Sequence, residues 1–337
     1  MSNTTTPVTF SFVCPVYNEQ DGLEAFYKRL KTVADALHEP YEILFVNDGS
    51  RDQSASIIEQ LVAGDHHVRY VEFSRNFGHQ WAVTAGYDYA AGKVVISLDS
   101  DGQHPPELIP DMIAKWREGY EIVCTVRQDT QGISPVRRAI GRMAYRVIRM
   151  ATGADLTDQA DFRLMDRLAV EALKSAREQA RFVRGLVHWI GFKQYKMPYT
   201  AERRMAGRSS YSLRQLVGMS TAGVFNFSNR PLKLASWLGC VLLVAAAVYL
   251  PVSLVLWALG AAPPASLSVV VAVGALFGLQ FMLMGLLGEY VGRIFDESKD
   301  RPLYIVRRTL GFQRGVLDSG ESAPANKPEV RSFAVYT

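Results

Sequence analysis

The chain has 337 residues, 48% of them hydrophobic and 21% charged, with a net charge of +4. That composition excludes a disordered chain and one buried wholly in lipid, and it leaves room for a large α/β domain with an appendage. Basic residues cluster at Arg137–Arg149, Arg203–Arg208 and Arg293–Arg308 beside apolar stretches, a pattern for phosphates or anionic headgroups and against nucleic acid.

Met1–Pro7 is polar and has no apolar core, so no signal peptide is expected and the N-terminal domain stays in the cytoplasm. The chain then alternates strand and helix. Strand-like runs are Val8–Cys14, Glu42–Val46, Val68–Phe73, Val94–Leu98 and Glu121–Val126. Helical stretches between them are Asp21–Leu37, Asp52–Val62, Gly78–Ala90 and Pro106–Trp116. This predicts an α/β, doubly wound, mainly parallel sheet. Ligands of such sheets lie beyond the carboxyl ends of the strands, where the polar motifs fall. Ser134–Ala151 predicts a basic amphipathic helix: Arg138, Arg142 and Arg146 form one stripe and apolar residues the other, as on a membrane surface or on an ordinary soluble face. Leu213–Phe227 reads as a second amphipathic segment. Leu234–Leu259 and Ser266–Val291 each exceed the roughly 20 residues that cross a bilayer. Cations flank both, so the hairpin tip faces out and both termini face the cytoplasm. The tail after Ser319 is rich in Ser, Ala and Pro and reads as flexible.

Asp99 and Asp101 end an apolar strand, and a turn at Gly102 brings both carboxylates to one rim. Hard oxygen ligands of this kind suit Mg2+ or Mn2+, which bind one or two carboxylates together with substrate phosphates. Asp48 stands where a carboxylate accepts from a nucleoside, Gly49 allows close backbone approach to a ligand, and Ser50 or Asp52 caps the following helix. Cys14, Cys124 and Cys240 have no metal spacing and read as reduced and buried. His66, His67 and His188 read as surface or packing residues; Trp189, Phe192 and Tyr195 read as core. Glu289 is expected to meet Arg293 one turn on or to reach the membrane interface.

Pro15-Val16-Tyr17-Asn18-Glu19, Asn47-Asp48-Gly49-Ser50-Arg51-Asp52, Ser74-Arg75-Asn76-Phe77-Gly78 and Asp99-Ser100-Asp101-Gly102-Gln103-His104 resemble family-2 glycosyltransferases. The polyprenyl-phosphate glycosyltransferases, relatives of dolichol-phosphate mannose synthase, are the nearer likeness. It continues through Asp161–Met165, Arg204–Tyr211 and Gly285–Arg293, and covers about Val8 to Val306. The resemblance implies a GT-A fold, a nucleotide-sugar donor, a polyprenyl-phosphate acceptor in a lipid bilayer, and a homo-oligomer. It places Glu19 and Asp48 at the nucleoside. It places Asp99, Asp101 and Gln103 at the metal and diphosphate, and Arg127 and Arg204 near the donor and acceptor phosphates. Pro15, Tyr17, Ser209 and Tyr211 join the substrate-binding set. Arg138 and Arg142 are further candidates for the acceptor phosphate. The chain departs from the family at Ser210 and at His79, where lysine is frequent.

The expected organisation is a nucleotide-sugar-binding core at 1–133, the acceptor side with interfacial helices at 134–230, a transmembrane hairpin at 231–292 and a cytoplasmic tail at 293–337. The expected activity is inverting transfer of a monosaccharide, from UDP-glucose or a related UDP-sugar, to polyprenyl phosphate at the inner membrane. GDP-mannose and UDP-aminoarabinose are the alternative donors. A processive polysaccharide synthase fits less well, since the chain lacks a Gln-x-x-Arg-Trp motif. A nucleotide-sugar-binding accessory protein of a lipid flippase is the non-enzymatic alternative.

Overall fold

The computed structural model describes residues 7–127, 159–179, 181–200 and 265–312, with scattered helical positions between 237 and 260. The elements in chain order are β1 Phe10–Val16, α1 Leu23–Ala36, β2 Tyr41–Asn47, α2 Ser54–Gly64, β3 Val68–Phe73, α3 His79–Tyr89 and β4 Val94–Ser97. A short 3-10 turn, Pro106–Leu108, leads into α4 Ile109–Arg117 and β5 Ile122–Arg127. Then come β6 Gln159–Asp166, α5 Arg167–Ser175, α6 Val183–Trp189, β7 Gln194–Tyr199, α7 Ala265–Ser298 and β8 Val306–Leu310.

The strands form one sheet in the order β7-β5-β6-β4-β1-β2-β3-β8. Helices cover both faces because successive strand residues point to opposite sides and both sides are apolar. Phe10, Phe12 and Cys14 of β1 pack with Leu30 of α1 and Met112 of α4. Val13 packs on the other side with Ala82 and Val83 of α3 and Val170 of α5. Gly86 lets α3 lie close against β1: a Cβ there would stand 2.0 Å from Val13 Cγ1.

The sheet is mixed where the sequence predicts it mainly parallel. The pairs β1–β2, β2–β3, β1–β4 and β5–β7 are parallel, while β6 runs antiparallel to β4 and β5, and β8 antiparallel to β3. The late strands escape local periodicity for a physical reason. In β6, Asp161 and Arg163 interrupt the apolar pattern yet are buried. Of the sheet's two edges, β7 mixes exposed polar residues with apolar ones, and β8 carries the adjacent exposed pair Arg307 and Arg308, so neither forms an apolar run. Because β6 reverses between β4 and β5, strands β5 and β7 run with β1–β4. The carboxyl ends of those six strands and the starts of β6 and β8 therefore share one edge.

Helix α7 has 34 residues, and its segment Ala272–Ser298 is long and apolar enough to cross a bilayer. Its side chains are uncovered: Val273, Phe277, Phe281, Leu287 and Val291 are all exposed. Among the described residues it is the one helix of this kind. Most of Leu234–Leu259 lies outside the description, although Val241, Val244, Val248 and Val252 are helical and exposed. Glu289 does meet Arg293, at 2.8 Å. The basic stretch 134–151, the segment 213–227 and the tail beyond 312 lie outside the described residues.

Candidate active site

The site is assembled on the carboxyl edge, at the point where the chain runs from β1 through β2 to β3 on one side and returns to β4 on the other. Such a switch point opens a crevice between neighbouring loops. The β1–α1 and β2–α2 loops are zipped together across it. Asn18, with φ of 55°, donates its amide to Ser50 Oγ at 3.0 Å, and its Oδ1 accepts from Arg51 N at 2.9 Å. Glu19 N donates to Ser54 Oγ at 3.0 Å and Gln20 N to Asp52 Oδ2 at 3.1 Å. Asp52 also accepts from Ser54 N at 3.0 Å, while Gln53 holds the cap position of α2, so neither expected residue is the formal N-cap. Tyr17, at the end of β1, is 43% exposed and faces outward from this rim.

Asp48 is buried, and its carboxylate accepts from Phe77 N at 2.7 Å and Gly78 N at 2.9 Å. Burial pushes its carboxyl above the ordinary value, against the opposing pull of those two amides. It thereby pins the loop Ser74–Gly78 over β2. Gly49, with φ of 66°, sits directly beneath that loop: a Cβ would stand 2.5 Å from Arg75 C. The close approach expected for a ligand at Gly49 is taken instead by the Arg75–Asn76 backbone.

β4 is extended by the bond from Leu98 N to Val13 O, and Ser100 Oγ donates to Pro15 O at 2.9 Å, tying the acidic motif to β1. Asp99 and Asp101 are half-buried rather than sealed. Asp101 Oδ1 accepts from Gln103 N at 3.0 Å across the turn at Gly102, whose φ is 77°. Asp99 N donates to His104 Nδ1 at 2.9 Å, so that ring nitrogen is an acceptor. The donor set on this rim, two accessible carboxylates, one of them oriented by the Gln103 amide, has the hard oxygen chemistry that suits Mg2+ or Mn2+.

A second charged group stands behind the pair. His79, the first residue of α3, has Nε2 3.6 Å from Asp99 Oδ1 and 3.5 Å from Asp161 Oδ2. Burial alone would lower its pKa, but the two carboxylates outweigh that and raise it to about 9. Asp161, near the start of β6, also accepts from Arg184 Nε at 3.1 Å and Nη2 at 2.7 Å, and from the Arg163 guanidinium. Burial would raise the Asp161 carboxyl, yet Arg184, His79 and Arg163 hold it well below the usual carboxylate range. The buried hydroxyl of Tyr199, at the end of β7, is pushed up to about 12, chiefly by burial, in a field shared by Arg127, Asp99 and Asp101. Arg127 ends β5, and its Nε is buried with no partner among the described residues. Of the residues expected from sequence, Pro15, Tyr17, Glu19, Asp48, Asp99, Asp101, Gln103 and Arg127 thus share one edge. Arg138, Arg142, Arg204, Ser209 and Tyr211 lie outside the described residues.

Sequence reasoning gave no role to His104, Asp161, Arg163, Arg184 or Tyr199, and noted His79 only as a departure. The signal available was the alternation of Asp161 and Arg163 on one strand face. Trp189, expected in the core, is 69% exposed at the end of α6, whereas Phe192 and Tyr195 do pack against the cores.

One further cluster lies at the opposite, amino edge. Asp65, His66 and His67 bring three ligand atoms within 4.8 Å of one another. Asp65 already accepts from Tyr27 Oη at 2.7 Å, His67 N at 2.9 Å and His67 Nδ1 at 2.8 Å, with Lys31 Nζ at 3.0 Å. A neighbouring ammonium opposes a second cation, so this is a packing network, and the His67 ring stacks on Tyr41 at 4.3 Å. Asp65→Asn is expected to cost about 2 kcal/mol by losing charged hydrogen bonds, read as a lowered midpoint of urea unfolding with unchanged slope.

A helix-covered sheet with loops zipped over a switch point and a carboxylate pair on its rim defines the GT-A class of α/β transferase. Residues 11–172 match the family model described as glycosyl transferase family 2. The uncharacterized glycosyltransferase YkcC of Bacillus subtilis (strain 168) is 43% identical over 308 residues, covering 91% of this chain and 95% of that protein. The bactoprenol glucosyl transferase of Shigella phage SfV is 33% identical over 299 residues, covering 88% and 97%. The crystal structure of glucosyl-3-phosphoglycerate synthase from Mycobacterium tuberculosis, with Mn2+, UDP and phosphoglyceric acid, aligns at a TM-score of 0.48 and 18% identity over 65% of this chain and 76% of that one. The chain belongs to glycosyl transferase family 2, and it is a glycosyltransferase.

Proposed function

We propose that this enzyme transfers glucose from UDP-glucose to a polyprenyl phosphate held in a membrane, with inversion. One observation carries the reading. The chain leaves the sheet at Tyr199, the carboxyl end of β7, and rejoins it at Val306, the start of β8, both on the site's own edge, with the apolar helix α7 between. If α7 crosses a bilayer, the crevice faces the lipid. The relative named bactoprenol glucosyl transferase supports the same sugar and acceptor class.

In this reading Asp99 and Asp101 would hold Mg2+ or Mn2+ with Gln103 beside them, and a cation bound there would supply Lewis-acid neutralisation of diphosphate charge. The zipped loops at Tyr17, Glu19 and Asp48 hold the nucleoside, Asp48 acting through the loop it pins. Arg127, whose Nε has no partner among the described residues, takes a phosphate oxygen, as do Arg204, Arg138 and Arg142 on the acceptor side. An acceptor oxygen attacks the anomeric carbon, the bond to the donor diphosphate breaks, and the electron pair leaves with UDP. A phosphate monoester is already anionic near neutrality, so no side chain needs to remove a proton. Positioning and charge stabilisation are what the residues supply.

Transfer of label from a panel of nucleotide sugars into organic-extractable lipid, with and without divalent cation, tests this. Label from UDP-glucose is expected in lipid only with the cation present. Label from GDP-mannose or UDP-aminoarabinose alone would replace the donor. Donor binding without any transfer across the panel would favour the accessory protein.

A further inference from the structure

The segment after α7 is held at every step. In the last turn of α7, Glu297 Oε2 accepts from Gln179 N at 2.9 Å, and Gln179 Nε2 donates onward to Arg301 O at 2.6 Å. Tyr304 is 5% exposed; its ring stacks on Phe73 at 5.0 Å and its hydroxyl donates to Asp88 Oδ2 at 2.7 Å. Asp88 is itself gripped by both Arg177 Nη atoms, at 2.8 and 2.9 Å. Ile305 O then accepts from Ser74 N at 2.9 Å, in the loop that Asp48 pins beside the crevice. β8 completes the hold through its ladder with β3 and through Arg308, which pairs with Glu72 and Glu59.

We infer that Lys299–Leu310 is a positioning strap, which couples α7 rigidly to the crevice and so sets the height of the donor above the membrane. The inference rests on the lipid-acceptor reading. Magnitudes argue that a strap matters. Seven residues, Lys299–Ile305, separate α7 from β8. As a free linker they would let the crevice wander by about 15 Å. A misplacement of about 1 Å costs a reaction on the order of a hundredfold. A surface strand serving only to close the sheet edge would not need its approach bonded to both the helix end and a crevice loop.

The test is a ratio. Full-length protein is reconstituted in phosphatidylglycerol vesicles with UDP-glucose and assayed on two acceptors: long-chain polyprenyl phosphate embedded in the bilayer, and a short, water-soluble prenyl monophosphate. A flexible Gly-Ser insertion between Asp300 and Arg301, combined with Glu297→Ala to release Gln179, leaves β8 docked and frees α7. Tyr304→Ala with Arg308→Gln loosens the strap itself. Each is expected to lower the embedded-to-soluble rate ratio on the order of tenfold. General damage to the fold lowers both rates together, so an unchanged ratio in both variants overturns the strap. Wild-type protein that transfers to neither acceptor sinks the acceptor reading, and this inference with it.

Discussion

Asp101→Asn is expected to reduce turnover by at least about a hundredfold while moving the thermal midpoint by no more than about 2 °C. The two halves have separate causes. Asp101 is half-buried on the rim, and its carboxylate accepts from Gln103 N, a bond that an amide oxygen reproduces. What the amide cannot reproduce is the charge that, in the proposed function, would hold a divalent cation against the diphosphate. Asp99→Asn is expected to stop turnover as well but to disturb the fold more, because Asp99 faces His79 at 3.6 Å. Initial rates across an Mg2+ and Mn2+ titration, beside melting curves, separate these outcomes. A wild-type rate for Asp101→Asn in saturating Mg2+ would remove the assigned role.

The position of that carboxylate pair was legible because it is local. A buried apolar run followed by Asp99-Ser100-Asp101-Gly102 needs no knowledge of strand pairing. The same holds for β1 to β5, whose apolar runs carry their own length and position. Val8–Cys14 was displaced by two residues from Phe10–Val16, since backbone pairing with β2 rather than hydropathy sets the strand's end. Contacts between distant residues were not legible. His79, Asp161 and Arg184 meet only because β6 enters the sheet antiparallel beside β4, and no spacing in the chain encodes that reversal. Gly49 shows the same limit at short range. Its need for an absent side chain was read correctly, but the atoms demanding the space belong to Arg75, not to a ligand.

The buried charges behind the site make the second large effect one of stability. Asp161→Asn is expected to cost about 3–5 kcal/mol, a fall of about 10 °C in thermal midpoint. Arg163 is 2% exposed and its guanidinium bonds to the Asp161 carboxylate, so the amide leaves a sealed cation without its counter-ion. Arg184 loses the same charge at 2.7 Å. Removing the buried cation as well, with Arg163→Met added to Asp161→Asn, is expected to recover part of the loss, because an uncompensated charge costs more than an apolar replacement. The dependence on pH has a definite sign. The folded Asp161 carboxyl is held well below its ordinary value, so its contribution is complete above an unfolded pKa of about 3.9 and disappears as pH falls through the folded value. The midpoint gap between wild type and Asp161→Asn should therefore stay level from neutrality down to about pH 4 and narrow only below it. A gap that closes nearer neutrality would mean that Asp161 is protonated in the native protein, and the Arg163–Arg184 clamp would have to be abandoned.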